Sequence, residues 1–200
     1  LICLTVGALI VTGGIGFVVV RDIYLSKVIP RYHKNKTSHL NFHSHIVLGT
    51  TLVLIVLGTV LFFICEYDNT LSGMNFGTKL NASLFQSISA RTAGFASVAI
   101  AKEHDFTKII TIILMFIGAS PAGTGGGIKT TTFVVLMATV LSVMRGCEET
   151  TIAKRQIDKF TVYRALAILT GAAFVVFVTT GLILTADPHV NGIAALFEAV

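Results

Sequence analysis

Apolar and polar stretches alternate along this chain in blocks much longer than a strand. The first apolar run, 2-ICLTVGALIVTGGIGFVVV-20, is long enough to cross a bilayer. So is 46-IVLGTTLVLIVLGTVLFFIC-65, which carries no charge. A third run covers 107–144, a fourth about 162–186, and a short apolar tail, 191-NGIAALFEAV-200, closes the chain. Between the runs lie a polar loop over 21–45, a mixed segment over 66–106 and a basic loop over 145–161. The pattern predicts an all-α polytopic membrane protein. Composition agrees, with 54% of residues hydrophobic and 12% charged, where soluble domains carry about a quarter charged. Leu1 opens inside an apolar stretch, so the chain reads as a piece of a longer protein.

Charge placement orients the spans. Loop 21–45 holds Arg21, Lys27, Arg31, Lys34 and Lys36 against one acid, Asp22. The stretch from Arg145 to Arg164 is also rich in Lys and Arg, whereas 66–106 has Lys79, Arg91 and Lys102 against four acids. The positive-inside rule puts 21–45 and 145–161 in the cytoplasm and 66–106 outside. The net charge of +5 therefore reads as membrane orientation and not as a nucleic-acid surface. Cys3, Cys65 and Cys147 are too scattered for a disulfide framework or a zinc site. His39, His43 and His45 have no carboxylate or cysteine near them, so a solvated loop is preferred to a metal site.

Two interruptions of the apolar pattern carry the chemistry. In 78-TKLNASLFQSISARTAGFASVAI-100, Leu80, Leu84, Phe85 and Ile88 form a helical stripe. A helix over Leu80–Ala90 covers about 17 Å, half a bilayer. It ends in Arg91-Thr92-Ala93-Gly94-Phe95. Either it is an amphipathic surface helix with a turn, or it is a half-helix that enters and returns by extended backbone. In the second case the glycine lets successive carbonyls face one way and replace a cation's hydration shell. A weak repeat supports the second: 84-LFQSI-88 follows one span as 196-LFEAV-200 follows another.

The other interruption is 116-FIGASPAGTGGGIKTTTF-133. As one straight helix, 107–144 would be about 57 Å long, nearly twice the hydrocarbon thickness. The segment 120–127 has the lowest helix propensity in the chain, so the helix is expected to break there. The freed backbone groups then need partners, and the break should line a cavity. Lys129 is the charge inside the run. It belongs either to the permeation path or its gate, or to the interface by snorkelling. A Walker A loop fails because Ile128 separates Gly127 from Lys129, and Gly14-Ile15-Gly16 lacks the third glycine of a dinucleotide fingerprint. The spans hold no carboxylate pair, His–Cys pair or metal cluster, so an enzyme is the least favoured class.

RTAGF after a half-helix, followed by MFIGASPAGTGGGIKTTTF, resembles the Trk/Ktr/HKT superfamily of cation transporters over all 200 residues. The likeness is greatest to the membrane subunits of bacterial Ktr and Trk potassium uptake systems. It implies helix–pore-helix–helix units around a central pore in the plasma membrane. Residues 1–20 would be the last helix of an earlier unit. Residues 46–144 would be a complete unit, with helix 46–65, pore helix and filter 78–96 and broken helix 107–144. Residues 162–200 would start the next. By resemblance, backbone of Thr92, Ala93, Gly94 and Phe95 forms the filter, with potassium held at Thr92, Ala93 and Gly94. The gating loop is Gly118-Ala119-Ser120-Pro121-Ala122-Gly123-Thr124-Gly125-Gly126-Gly127 with Lys129. Pro121 and the glycine run stand where the family pattern is richer in serine, and Pro121 would stiffen one end. The resemblance also implies a homodimer on a cytosolic nucleotide-binding regulatory subunit, with no cofactor in this chain. Two alternatives are a secondary carrier with a midplane substrate site and a sodium-selective member of the same family. An inert membrane scaffold is a third.

Overall fold

The computed structural model describes residues 2–32, 40–91, 93–147, 149–152, 155–187 and 189–200. His39 and the basic residues Lys34 and Lys36 lie outside them. The chain runs α1 (Ile2–Gly14), α2 (Phe17–Tyr32), α3 (Phe42–Glu66), α4 (Phe76–Ser89), a 3₁₀ turn (Ile100–Lys102), α5 (Asp105–Phe116), α6 (Thr130–Met144), β1 (Thr151–Ile152), β2 (Arg155–Gln156), α7 (Lys159–Ala186) and α8 (Gly192–Ala199). The two strands form a small antiparallel hairpin, with Thr151 opposite Gln156.

Among the described residues, α3 and α7 are each long and apolar enough to cross a membrane. They differ in surroundings. One face of α3 is buried against α4, α5 and α6 through Val47, Thr51, Leu54, Gly58 and Phe62. By contrast α7 is buried only at Ala165. A helix apolar all round, and covered on one side only by α6 and α8, belongs against lipid or other protein on the rest of its surface.

The run 2–20, expected as one span, is two helices whose axes meet at 92°. Gly16 takes φ +88°, a left-handed conformation that ends α1 and that side chains disfavour. Its carbonyl then accepts from the Val19 and Val20 amides and starts α2. Asp22 on α2, counted from sequence only as a charge, closes the next junction. Its carboxylate accepts from the Asn41 amide at 2.8 Å, the Asn41 side chain at 2.7 Å and Ser44 Oγ at 2.6 Å, at the start of α3.

The 107–144 run is likewise broken, between Phe116 and Thr130. Its two ends run side by side. The Ile128 amide donates to the Phe116 carbonyl at 2.9 Å, the Thr130 amide to Ala119 at 3.3 Å, and Ile117 pairs with Ile128 in a parallel bridge. The middle of the break meets the bend after α1. The Ser120 amide donates to the Gly14 carbonyl at 3.1 Å, the Phe17 amide to Ala122 at 3.2 Å, and the Thr124 amide to Gly13 at 3.4 Å. Backbone freed in one interruption thus satisfies backbone freed in the other, as burial requires. Contact is close enough that a Cβ on Gly16 would lie 2.4 Å from the Pro121 carbonyl oxygen.

Gly16→Ala combines that clash with a left-handed backbone, which costs a non-glycine residue about 1–3 kcal/mol. The variant should melt well below the parent in detergent. Gly49→Ala, where nothing lies within 4 Å of the added Cβ, should melt at or above it. Equal melting of the two variants would mean that the exchange between the bends contributes nothing.

Candidate functional site

At 14 residues α4 is too short to cross a bilayer. Its second half is buried almost all round, including Ser83, Gln86, Ser87 and Ser89 beside Phe85 and Ile88. Of the single stripe expected from sequence, Phe85 and Ile88 are buried, Leu84 is half-buried and Leu80 is exposed. The burial of the second half comes from enclosure between α1 and α3. Gly7 of α1 faces Ile88, and a Cβ there would sit 3.4 Å from Ile88 Cδ1. Gly58 of α3 faces Ser87, whose hydroxyl donates to the Ile55 carbonyl at 2.9 Å. Lys79 near the helix start is also buried, with its Nζ 3.5 Å from the Tyr67 ring centroid and donating to the Tyr67 carbonyl at 2.8 Å. The cation–π contact and hydrogen bond allow that burial.

Beyond α4 the chain turns back on itself. The Ala93 amide donates to the Ser89 carbonyl at 3.0 Å, Gly94 takes φ +74°, and the Ser89 hydroxyl donates to the Phe95 carbonyl. Thr92 lies outside the described residues. Nothing lies within 4 Å of a Cβ built on Gly94, so backbone conformation and not crowding calls for glycine there. A cavity of about 410 Å³ adjoins this turn, lined by Gln86, Ser89, Ala93, Gly94, Thr111 and Met115, and by Phe197 and Val200 of the α8 region.

The returning segment is pinned along its length. Besides Ser89 at Phe95, Asn69 Nδ2 donates to the Lys102 carbonyl at 2.8 Å. Glu66, fully buried at the end of α3, takes the His104 amide at 2.9 Å and Thr107 Oγ1 at 2.6 Å on one oxygen. Its other oxygen takes Asn69 Nδ2 at 2.7 Å, Thr70 Oγ1 at 2.8 Å and the Thr70 amide at 3.3 Å. In the sequence Glu66 stands out only as one of the four acids of 66–106. A carboxylate at the last turn of an otherwise uncharged span was the available signal.

The loop of the third run touches the end of α4. Arg91, directly after α4, donates from Nη2 to the Gly118 carbonyl at 3.2 Å. Ala90 and Ile117 share one apolar cluster with Leu54 and Leu114. Within the loop, Ala119 and Ser120 are buried, Ala122 takes φ +60° and Gly127 φ +69°. A Cβ on Gly118 would lie 1.8 Å from the Gly126 carbonyl oxygen and one on Gly123 2.8 Å from that of Gly14. Gly125 accepts from Lys129 Nζ at 2.6 Å. The lysine that interrupts the run therefore closes its own loop.

The family model for TrkH cation transport proteins matches residues 1–200. The chain belongs to that family. It is 39% identical over 176 residues to the Ktr system potassium uptake protein B of Bacillus subtilis, covering 87% of this chain and 38% of that protein. It is 34% identical over 166 residues to the potassium/sodium uptake protein NtpJ of Enterococcus hirae, covering 82% and 35%. The crystal structure of the potassium transporter TrkH from Vibrio parahaemolyticus superposes with a TM-score of 0.75 at 17% identity, over 98% of this chain and 41% of that one. That likeness shows the fold, an all-α membrane architecture. The chain spans about 38% of the length of the first of these relatives. The family consists of transport proteins and not enzymes.

Loss of the Arg91–Gly118 bond should free the loop. A hydrogen bond to a charged group is worth roughly 1.5–3 kcal/mol. In a Ser120→Cys background, Arg91→Ala should therefore speed modification by a small maleimide about ten-fold or more. An unchanged rate would show that Arg91 does not hold the loop.

Proposed function

We propose that this chain forms part of a potassium-conducting pore, with backbone at 92–95 as a filter segment and 118–129 as an intramembrane gate. The observation that carries the reading is the juxtaposition of two irregular segments. The short helix α4 ends at Ser89, five residues before the left-handed Gly94, and Arg91 ties that end to a backbone-rich loop from a broken span. Irregular backbone at membrane depth is tolerated where it lines a path or is buried in protein. The C-terminal end of α4 directly precedes the filter, so its partial negative charge favours a cation there. Carbonyls of Thr92, Ala93 and Gly94 would replace part of the ion's hydration shell. The membrane potential would drive a cation inward at about 2.3 kcal/mol per charge per 100 mV, with no covalent step in this chain.

The second unit in this reading runs from α7 to α8, whose residues 196–200 repeat the pattern of 84–88 and reach the cavity beside Gly94. Loops 21–45 and 145–161 would face the cytoplasm and 66–106 the outside. The protein would be a plasma-membrane homodimer docked on a cytosolic nucleotide-binding regulatory subunit. Arg155 in the second of those loops lies over the Phe42 ring, 4.9 Å from its centroid. Lys154 lies outside the described residues. Alanine at both positions should lower co-purification of the regulatory subunit several-fold. Full recovery of the complex would remove this loop from the contact.

Cargo is decided by uptake. In a bacterium without its own potassium uptake, the complete gene should restore rubidium uptake in preference to sodium. Gly94→Ser places a side chain on a residue at φ +74° and should abolish that preference. Sodium uptake by the parent at the level of rubidium would favour the sodium-transporting alternative, in line with the name of the Enterococcus relative, a potassium/sodium uptake protein. Movement of neither ion by a parent present in the membrane would favour the carrier reading.

A further inference from the structure

Gln86 on α4 and Glu103 on the returning segment are both buried, each 4% exposed. Gln86 Nε2 donates to Glu103 Oε1 at 3.3 Å. The remaining oxygens, Gln86 Oε1 and Glu103 Oε2, are buried without a hydrogen-bond partner. Both are acceptors if Glu103 is ionised, so neither can serve the other. Leaving such groups unmet costs more than the bond beside them returns. One proton on Glu103 Oε2 changes the inventory. A protonated carboxyl has an O–H donor and an acceptor, and a primary amide has the complementary pair.

We propose that Glu103 is carried as a neutral acid that closes a two-hydrogen-bond pair with the Gln86 amide, and that this pair is a positioning brace for the filter segment. The brace rests on the filter reading above. Its place supports it. Gln86 lies one turn before the end of α4, and Glu103 stands where the chain returns from Phe95 to α5. The pair therefore clamps the filter segment from both of its ends, alongside the Ser89–Phe95 bond. Gln86 and Ser89 also line the cavity beside Gly94.

Burial, and then the nearby Glu66 carboxylate, push the Glu103 carboxyl up to about 7, with Lys108 opposing. The charged groups facing Glu103 are thus Glu66 from α3 and Lys108 from α5, which also pairs with Asp105 at 3.2 Å. From α4 the facing group is the neutral Gln86 amide. The sign follows from linkage. A carboxyl raised above its ordinary value of 4.5 binds its proton more tightly in the braced form. The brace is therefore fully favoured at low pH and is lost as pH rises through about 7.

The test uses the complete transporter in liposomes with equal pH on both faces. For the parent, the rubidium-to-sodium flux ratio should fall about five-fold between about pH 6 and about pH 8.5, the change that loss of one hydrogen bond gives. Glu103→Gln makes an amide–amide pair at every pH, so its ratio should stay flat at the parent's acid-side value. Infrared difference spectra should show a neutral carboxylic-acid band that titrates near pH 7 in the parent and is missing in Glu103→Gln. A missing band in the parent, or a Glu103→Gln variant that titrates like the parent, overturns the proton. A band present with a flat parent ratio overturns the positioning role. The infrared reading needs no transport, so it stands apart from the Gly94→Ser result, which alone decides the filter.

Discussion

Every backbone N–H and C=O at membrane depth must find its partner inside the protein, and most of this structure follows from that constraint. Among the described residues, the apolar runs 2–20 and 107–144 are broken, after Gly14 and after Phe116. Neither break closes alone. The amides of Ser120 and Thr124 reach carbonyls at Gly14 and Gly13, and the Phe17 amide reaches Ala122. Glycine is needed at the crossing because the two backbones come too close for a Cβ at Gly16 or Gly123, and within the loop Gly118 is crowded by the Gly126 carbonyl. The exchange couples the first helix pair to the interrupted span, so a movement of loop 118–127 has to remake bonds on α1 and α2.

The same constraint explains the polar side chains gathered around α4. A half-helix enclosed by α1 and α3 cannot hide its serines in water, and Ser83 and Ser87 turn instead to the carbonyls of Lys79 and Ile55. The returning segment has no regular ladder. It is held by side chains of two different helices: Ser89 and Gln86 from α4, and Glu66 from α3 with the adjacent Asn69. Such a segment keeps its shape only while those side chains keep their place, which ties the geometry around Gly94 to residues distant in the chain.

How much of this was legible depended on range. Helical spans at 46–65 and 162–186 could be read because twenty uncharged apolar residues have few other solutions. The break near Pro121 and the glycine run could be read because those residues disfavour helix in any setting. The bend at Gly16 was missed. Apolar residues continue on both sides of it, and the glycines at 13, 14 and 16 pass as helix packing in a membrane run. The burial of Lys79, Glu66 and Glu103 was also missed, since a charge in a loop looks solvated until its neighbours are known.

Local chemistry by itself determined the class, the place of the long apolar runs and the loss of helix within 118–127. Those properties depend on hydrophobicity, propensity and backbone sterics, which act over a few residues. Tertiary structure alone decided which broken backbone pairs with which, that Arg91 reaches Gly118 across 27 residues, and that Gln86 meets Glu103. These are encounters between segments distant in the chain. Their partners are chosen by the packing of α1, α3 and α4 around one another, and no pattern within a single segment carries that information.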